Sequence, residues 1–345
     1  MNPWPLTSAA PPHGIDPPAA SGTAPAGYYG VPAIHGPHWK WLIIVYFYLG
    51  GITGAAAAIA GLSRLVGPAE DRRLVGAARY LSFASLVPCP VLLVLDLGRP
   101  ARFHHMLLRF NPRSPMSLGT WGLTLFGALC GLGAAQQTAA DDLVGRGRAA
   151  RAIACSPERV VAAASVPVGL FVAGYTGVLL AATAVPLWTK RPLLLGPLFL
   201  ASAVSTAASA VALTLHLAPG TPPATMHRLE RLERAALLAE VGVLAAWVVR
   251  LGPTAHPLTH GTTGRVFRHG VVGAGLALPC LLHAAKQTAP ARLRAPLTVA
   301  TALLTLAGGF GLRYAVVIAG RASADDPRAT FELTRARPPV AERRS

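Results

Sequence analysis

The chain has 345 residues and a formal net charge of +17, with 52% hydrophobic but only 13% charged residues. A soluble globular domain carries about 25% charged residues, so the composition excludes an ordinary soluble enzyme and indicates a polytopic membrane protein. The surplus arginine sits in short loops and in the tail, without interleaved aromatics. It therefore reads as topology-setting charge that meets anionic headgroups, not as a nucleic-acid surface.

Residues 1–37 are rich in proline, alanine and glycine and almost uncharged. No basic stretch precedes an apolar core there, so the segment is not a signal peptide and reads as a disordered arm. Eight apolar segments follow, each near the roughly 20 residues that cross a bilayer core. They are expected at about 39–62, 74–95, 118–135, 160–187, 193–217, 232–249, 271–285 and 296–319. The first opens on a Trp39-Lys40-Trp41 interface anchor, and Pro88 and Pro90 predict a kink in the second. The fold class is thus all-α with eight transmembrane helices. Small residues such as Gly50, Gly51, Gly54, Ala207 and Ala208 favour close helix contact in lipid. The tail 321–345 is polar and is expected outside the membrane. An even helix count puts both ends on one face, here termed the N-side; loop charge is nearly balanced between the faces and does not orient the protein.

A charge at mid-bilayer costs roughly 2.5–3.5 kcal/mol even on lenient scales, so each buried ionisable group needs a reason. Two groupings emerge from the alternating helix directions. Asp96 falls at the N-side rim beside Arg99, with His104 and His105 just beyond. Tyr46 lies about two turns in from that face and Tyr175 near mid-membrane. Tyrosine, histidine and aspartate supply the donors and proton source that a quinone headgroup needs. The plain alternatives are packed tyrosines, interfacial histidines, and an Asp96 carboxylate paired with Arg99 or Arg102. The second grouping is Glu233, Glu240 and Arg313. The two acids are seven residues apart, close to two helical turns, so they share a face roughly 10 Å apart in depth. Glu233 is expected near the rim opposite the N-side, Glu240 at mid-membrane and Arg313 within two turns of the N-side. Together they form a ladder for proton transfer or, more plainly, a structural ion pair.

The cysteines Cys89, Cys130, Cys155 and Cys280 stand alone, which fits neither an iron–sulfur cluster nor a structural zinc. A dihaem anchor needs facing histidine pairs at membrane depth, and His216, His269 and His283 are too few. A secondary transporter with Glu240 as its coupling site, and a purely structural anchor without a quinone site, are further readings of the same residues.

The runs Asp96-Leu97-Gly98-Arg99-Pro100, Ser114-Pro115-Met116-Ser117…Trp121, Gly174-Tyr175-Thr176-Gly177, Glu233…Glu240 and Gly308-Gly309…Arg313-Tyr314 resemble the NrfD/polysulfide reductase family of membrane subunits. The resemblance spans nearly everything from the first helix to the eighth. It implies two four-helix bundles, over 38–189 and 190–320, the first with a quinone site and the second with a proton path. It implies menaquinone or ubiquinone as cofactor, with no haem and no metal in this subunit. It further implies a four-cluster ferredoxin-like iron–sulfur partner, a molybdopterin oxidoreductase subunit, and a bacterial inner membrane. The positions matching family functional residues are Asp96, Tyr175, Glu233, Glu240 and Arg313, with Tyr46 the match in helix one. The long arm and the Glu342-Arg343-Arg344 ending depart from the family pattern.

Overall fold

The computed structural model describes residues 39, 41–97, 104–108, 110–143, 147, 153, 155–218 and 220–325. The 1–37 arm, Arg99, Arg102 and the tail beyond Asp325 lie outside the described residues. Among those described the protein is helical without strands, and eight helices are long and apolar enough to cross a membrane. They are α1 (Trp41–Val66), α2 (Ala69–Asp96), α3 (Pro115–Ala140), α4 (Glu158–Ala181), α5 (Pro192–Leu217), α6 (Pro223–Thr259), α7 (Gly261–Thr288) and α8 (Ala291–Ala324).

Helices neighbouring in sequence touch in space, as short connections between antiparallel helices require. α1 packs on α2 and α4, and α3 on α2 and α4. α5 packs on α6 and α8, and α7 on α6 and α8. The two sets meet where α5 lies against α1, α2 and α4, and where α8 lies against α1. α1 and α5 are therefore the central helices. The α1–α4 crossing is close because glycine faces glycine. A Cβ on Gly54 would lie 2.5 Å from the Gly169 carbonyl oxygen, and one on Gly169 would meet Gly54 in the same way. In lipid, where apolar surface gives helices no special reason to associate, such backbone approach supplies the packing energy.

Two features at the ends fix the helices in depth. At the face away from the N-side, Arg228 at the start of α6 pairs with Asp71 of α2 at 2.6 Å, and Thr225 donates to the same carboxylate at 2.8 Å. At the N-side, the short helix Pro186–Thr189 buries Trp188, whose indole N–H donates to the Val316 carbonyl of α8 at 3.0 Å. Trp39 stacks on it with ring centroids 5.3 Å apart.

The expected interruption of α2 is found: the helix is broken at Val87, between Arg72–Leu86 and Pro88–Asp96. Several bounds differ from the sequence expectation. α4 ends at Ala181, not at 187, because the backbone turns before Pro186 into the separate short helix. α6 begins nine residues earlier than expected (232 against 223), since its charged first turns are held by ion pairs and need no lipid. α8 extends to Ala324, so the first residues assigned to the tail are helical. Within α7, Val266–Ala277 is a π-helix, which no simple period announces.

Candidate functional site

The N-side cluster is built from the ends of four helices. Tyr46 lies five residues into α1 and Tyr175 six residues before the end of α4. At 1.5 Å per residue both sit about 8–9 Å in from the N-side helix ends. Tyr175 is thus nearer that face than expected, because α4 stops short. Tyr46, Cys89 of α2 and Tyr175 are close enough to interact electrostatically. Tyr46 is only 8% exposed, yet among the described residues its hydroxyl has no hydrogen-bond partner. Asp96 ends α2, partly exposed and not without partners. His104 and His105 lie on the exposed short helix His104–Leu108, with ring centroids 4.3 Å apart.

The Ser-Pro-Met-Ser run is the start of α3. Ser114 is its N-cap, accepting from the Ser117 N–H at 3.4 Å, and Pro115 fills the first helical position, where a missing N–H costs nothing. The Ser117 hydroxyl in turn accepts from the Asn111 N–H at 2.9 Å. This helix start receives Tyr175, whose hydroxyl donates to the Pro115 carbonyl. Gly119 makes the approach possible, since a Cβ there would stand 2.5 Å from the Tyr175 ring. Part of the motif therefore positions the phenol.

The second grouping is a polar ladder in two parts, Arg313 with Ser202, Glu240 and Ser205, and Ser209 with Glu233, joined where Ser209 meets the Ser205 backbone carbonyl. Arg313 is fully buried, eleven residues before the end of α8; Glu240 is eleven residues before Leu251 in α6; Ser202 is ten residues into α5. Counted from Ala324, Leu251 and Pro192, all three lie about 15–17 Å in from the N-side, near the middle of a ~30 Å core. Arg313 Nη1 donates to Ser202 Oγ at 2.5 Å and to the Gly309 carbonyl at 2.9 Å. Nη2 reaches the Phe199 carbonyl at 3.4 Å, and the guanidinium lies 5.4 Å from the Phe199 ring centroid. Ser202 and Arg313 both interact with Glu240, whose Oε2 accepts from Ser205 Oγ at 2.8 Å. One turn further, Ser209 Oγ donates to Glu233 Oε1 at 2.5 Å. Glu233 is 3% exposed and lies ten residues into α6, not at the rim where a shorter helix would have placed it.

Ser202, Ser205 and Ser209 were not singled out in the sequence, although their spacing of three and four puts them on one face of an apolar helix. Each hydroxyl of Ser205 and Ser209 has one hydrogen and two acceptors in reach. Ser205 faces the Ser202 carbonyl at 3.0 Å as well as Glu240, and Ser209 faces the Ser205 carbonyl at 2.9 Å as well as Glu233. A hydroxyl so placed donates to an ionised carboxylate. It accepts from a protonated one while donating to the backbone. The ladder stays hydrogen-bonded in either protonation state.

Beyond Glu233 the ladder reaches His283 of α7, whose Nε2 is 3.6 Å from Glu233 Oε2. His283 lines a cavity of about 870 Å³ at the ends of α5–α8 away from the N-side, together with Glu230, Arg231, Arg234, Lys286 and Arg294. Lys286 Nζ is 2.8 Å from Glu230 Oε1. Among the described residues no group of three or more histidine, cysteine, aspartate or glutamate side chains is placed to hold a metal ion.

Eight spans with charged side chains buried in the second four and a tyrosine cluster at one rim define a multi-pass α-helical membrane protein that keeps titratable groups within its helix bundle. The sequence comparisons give the family: residues 33–324 match the pattern described as "Polysulphide reductase, NrfD". The protein belongs to this NrfD family of polysulfide reductase membrane subunits. It is 29% identical over 304 residues to the C subunit of polysulfide reductase from Wolinella succinogenes, a match covering 82% of this sequence and 94% of that one.

Proposed function

We propose that this protein is the quinone-binding membrane subunit of a multisubunit oxidoreductase, exchanging electrons between the quinone pool and an iron–sulfur partner subunit. A molybdopterin subunit completes the complex in this reading, which places it in a bacterial inner membrane. Proton transfer along the α5–α6–α8 ladder accompanies turnover.

The observation that carries the reading is the meeting of two phenols at one depth, with Tyr46 buried and its hydroxyl unpaired among the described residues. A hydroxyl with no partner in the fold is free to donate to a ligand carbonyl, a hydrogen bond worth about 0.5–1.5 kcal/mol. A quinone supplies two carbonyl oxygens and, when reduced, takes up two electrons and two protons. Tyr46 donates to one carbonyl. Tyr175 has its hydroxyl on the Pro115 carbonyl and holds the wall of the same site. Asp96, at the rim and partly exposed, exchanges protons with the N-side. The exposed His104–His105 pair borders the opening as an anchor for the headgroup, a role that Arg99 of the same sequence run shares in this reading.

The test is quinol oxidation by the assembled complex carrying Tyr46→Phe, Tyr175→Phe or Asp96→Asn. Loss of the substrate hydrogen bond in Tyr46→Phe predicts a fall of about tenfold to 100-fold in kcat/KM. Tyr175→Phe, which loses the contact to Pro115, and Asp96→Asn, which loses the proton-exchanging carboxyl, are expected to lower turnover. Unchanged turnover in all three variants refutes the site.

A further inference from the structure

The ladder begins somewhere, and neither carboxylate on it touches solvent: Glu233 is 3% and Glu240 2% exposed. The residue between Glu233 and open space is His283, 5% exposed, which lines the 870 Å³ cavity while its Nε2 faces the carboxylate. That nitrogen is buried without a hydrogen-bond partner, although it is within 3.6 Å of Glu233 Oε2. Closing the gap by a few tenths of an ångström completes a hydrogen bond.

The rest of the setting fits a port. Lys286, one turn further along α7, is engaged by Glu230 at 2.8 Å, so that acid is already paired and Glu233 is left to the histidine. Arg231, Arg234 and Arg294 keep the vestibule positive. Imidazole is the side chain whose unperturbed pKa lies near neutrality, and its two nitrogens let it take a proton on one side and give one up on the other.

We propose that His283 is the proton port of this subunit, joining the cavity to Glu233 and, across the step between the Ser209 and Ser205 hydroxyls, to Glu240 at the membrane centre. The inference rests on the proton-transfer reading above. The step moves protons only. A proton from cavity water bonds to one ring nitrogen, the N–H bond at Nε2 breaks as an O–H bond forms at Glu233 Oε2, and the ring returns neutral. The reverse sequence delivers protons to the cavity.

The cavity itself supplies the test, because it admits free imidazole to the space a truncated side chain leaves. The assembled complex in proteoliposomes, driven by quinol and read by a pH-sensitive dye, is compared as wild type, His283→Ala, His283→Gln, His216→Ala and Glu240→Gln. General acid–base transfer is worth about 10²-fold or more, so His283→Ala is expected to lose proton transfer by that order and to regain it with added imidazole. His283→Gln keeps a polar side chain that holds no exchangeable proton of suitable acidity, and is expected to fail while the complex still assembles. His216 lines the same cavity but is exposed and makes no ion pair with Glu233, so His216→Ala is expected to behave as wild type. Intact transfer in His283→Ala, or a loss that imidazole does not restore, overturns the port. If Glu240→Gln also leaves transfer intact, the ladder itself has failed; if Glu240→Gln abolishes transfer and His283→Ala does not, only the port has.

Discussion

The buried pair at the centre of the bundle offers the sharpest quantitative test. Arg313→Met removes a fully buried guanidinium that reaches Ser202, Gly309 and Phe199, and leaves Glu240 without its counter-charge. The two charges interact through space and share Ser202 without a direct ion pair. Removing one is therefore expected to cost at most the about 3–5 kcal/mol of breaking a buried pair, because the remaining charge is stranded. Glu240→Gln strands the arginine in turn, though its three oxygen acceptors soften the loss toward the low end of that range. The double variant strands nothing. It is expected to be more stable than the sum of the single effects predicts, with a coupling of about 0.5–3 kcal/mol. The assay is thermal unfolding in detergent read with a thiol-reactive dye, for which Cys89 and Cys130 are suited, being buried and free in the fold. A single-variant loss corresponds to a shift on the order of 5 °C. Strict additivity of the two losses refutes the idea that these side chains depend on each other.

Three further outcomes follow from named contacts. Ser209→Ala removes the hydroxyl on Glu233 and is expected to cost about 1.5–3 kcal/mol, as for hydrogen bonds to charged groups, and to slow proton transfer; Ser209→Thr, which keeps a hydroxyl, should retain both. Equal behaviour of the two variants speaks against the relay. Gly54→Ala places a methyl against the Gly169 carbonyl and is expected to destabilise by about 1–3 kcal/mol through overpacking, measured by the same melting assay; no loss means the crossing is looser than described. A membrane-impermeant maleimide should label exposed Cys155 while sparing Cys89 and Cys130, and the side from which it labels orients the N-side, since the α3–α4 connection lies on the opposite face. Labelling of Cys89 in the folded protein contradicts its burial.

Much of the site was readable one residue at a time. Asp96 and Tyr46 stand out as polar groups at the ends of apolar runs, and Glu240 and Arg313 as charges that lipid would expel. What joins them was not readable. The serines of α5 are ordinary in composition, and only their alignment with α6 and α8 shows that they bridge Arg313, Glu240 and Glu233. Glu233 moved from rim to interior because α6 starts at Pro223, its first turns held by Arg228 on Asp71 and Lys286 on Glu230. Hydropathy counts those charges against a span, whereas the fold pairs them.

The sequence by itself determined that this is a membrane protein of eight helices with charge buried in the second half. That follows because lipid permits backbone to cross only when its own polar groups are paired, and because each buried charge is visible as an exception. The tertiary structure alone decided which exceptions meet. Depth along a helix can be counted, but the facing of one helix toward another depends on contacts such as Gly54 on Gly169 and on the π-helix of α7. That stretch sets the rotation of everything after Ala277, His283 included, and a local sequence pattern carries no record of the neighbour such a rotation brings into reach.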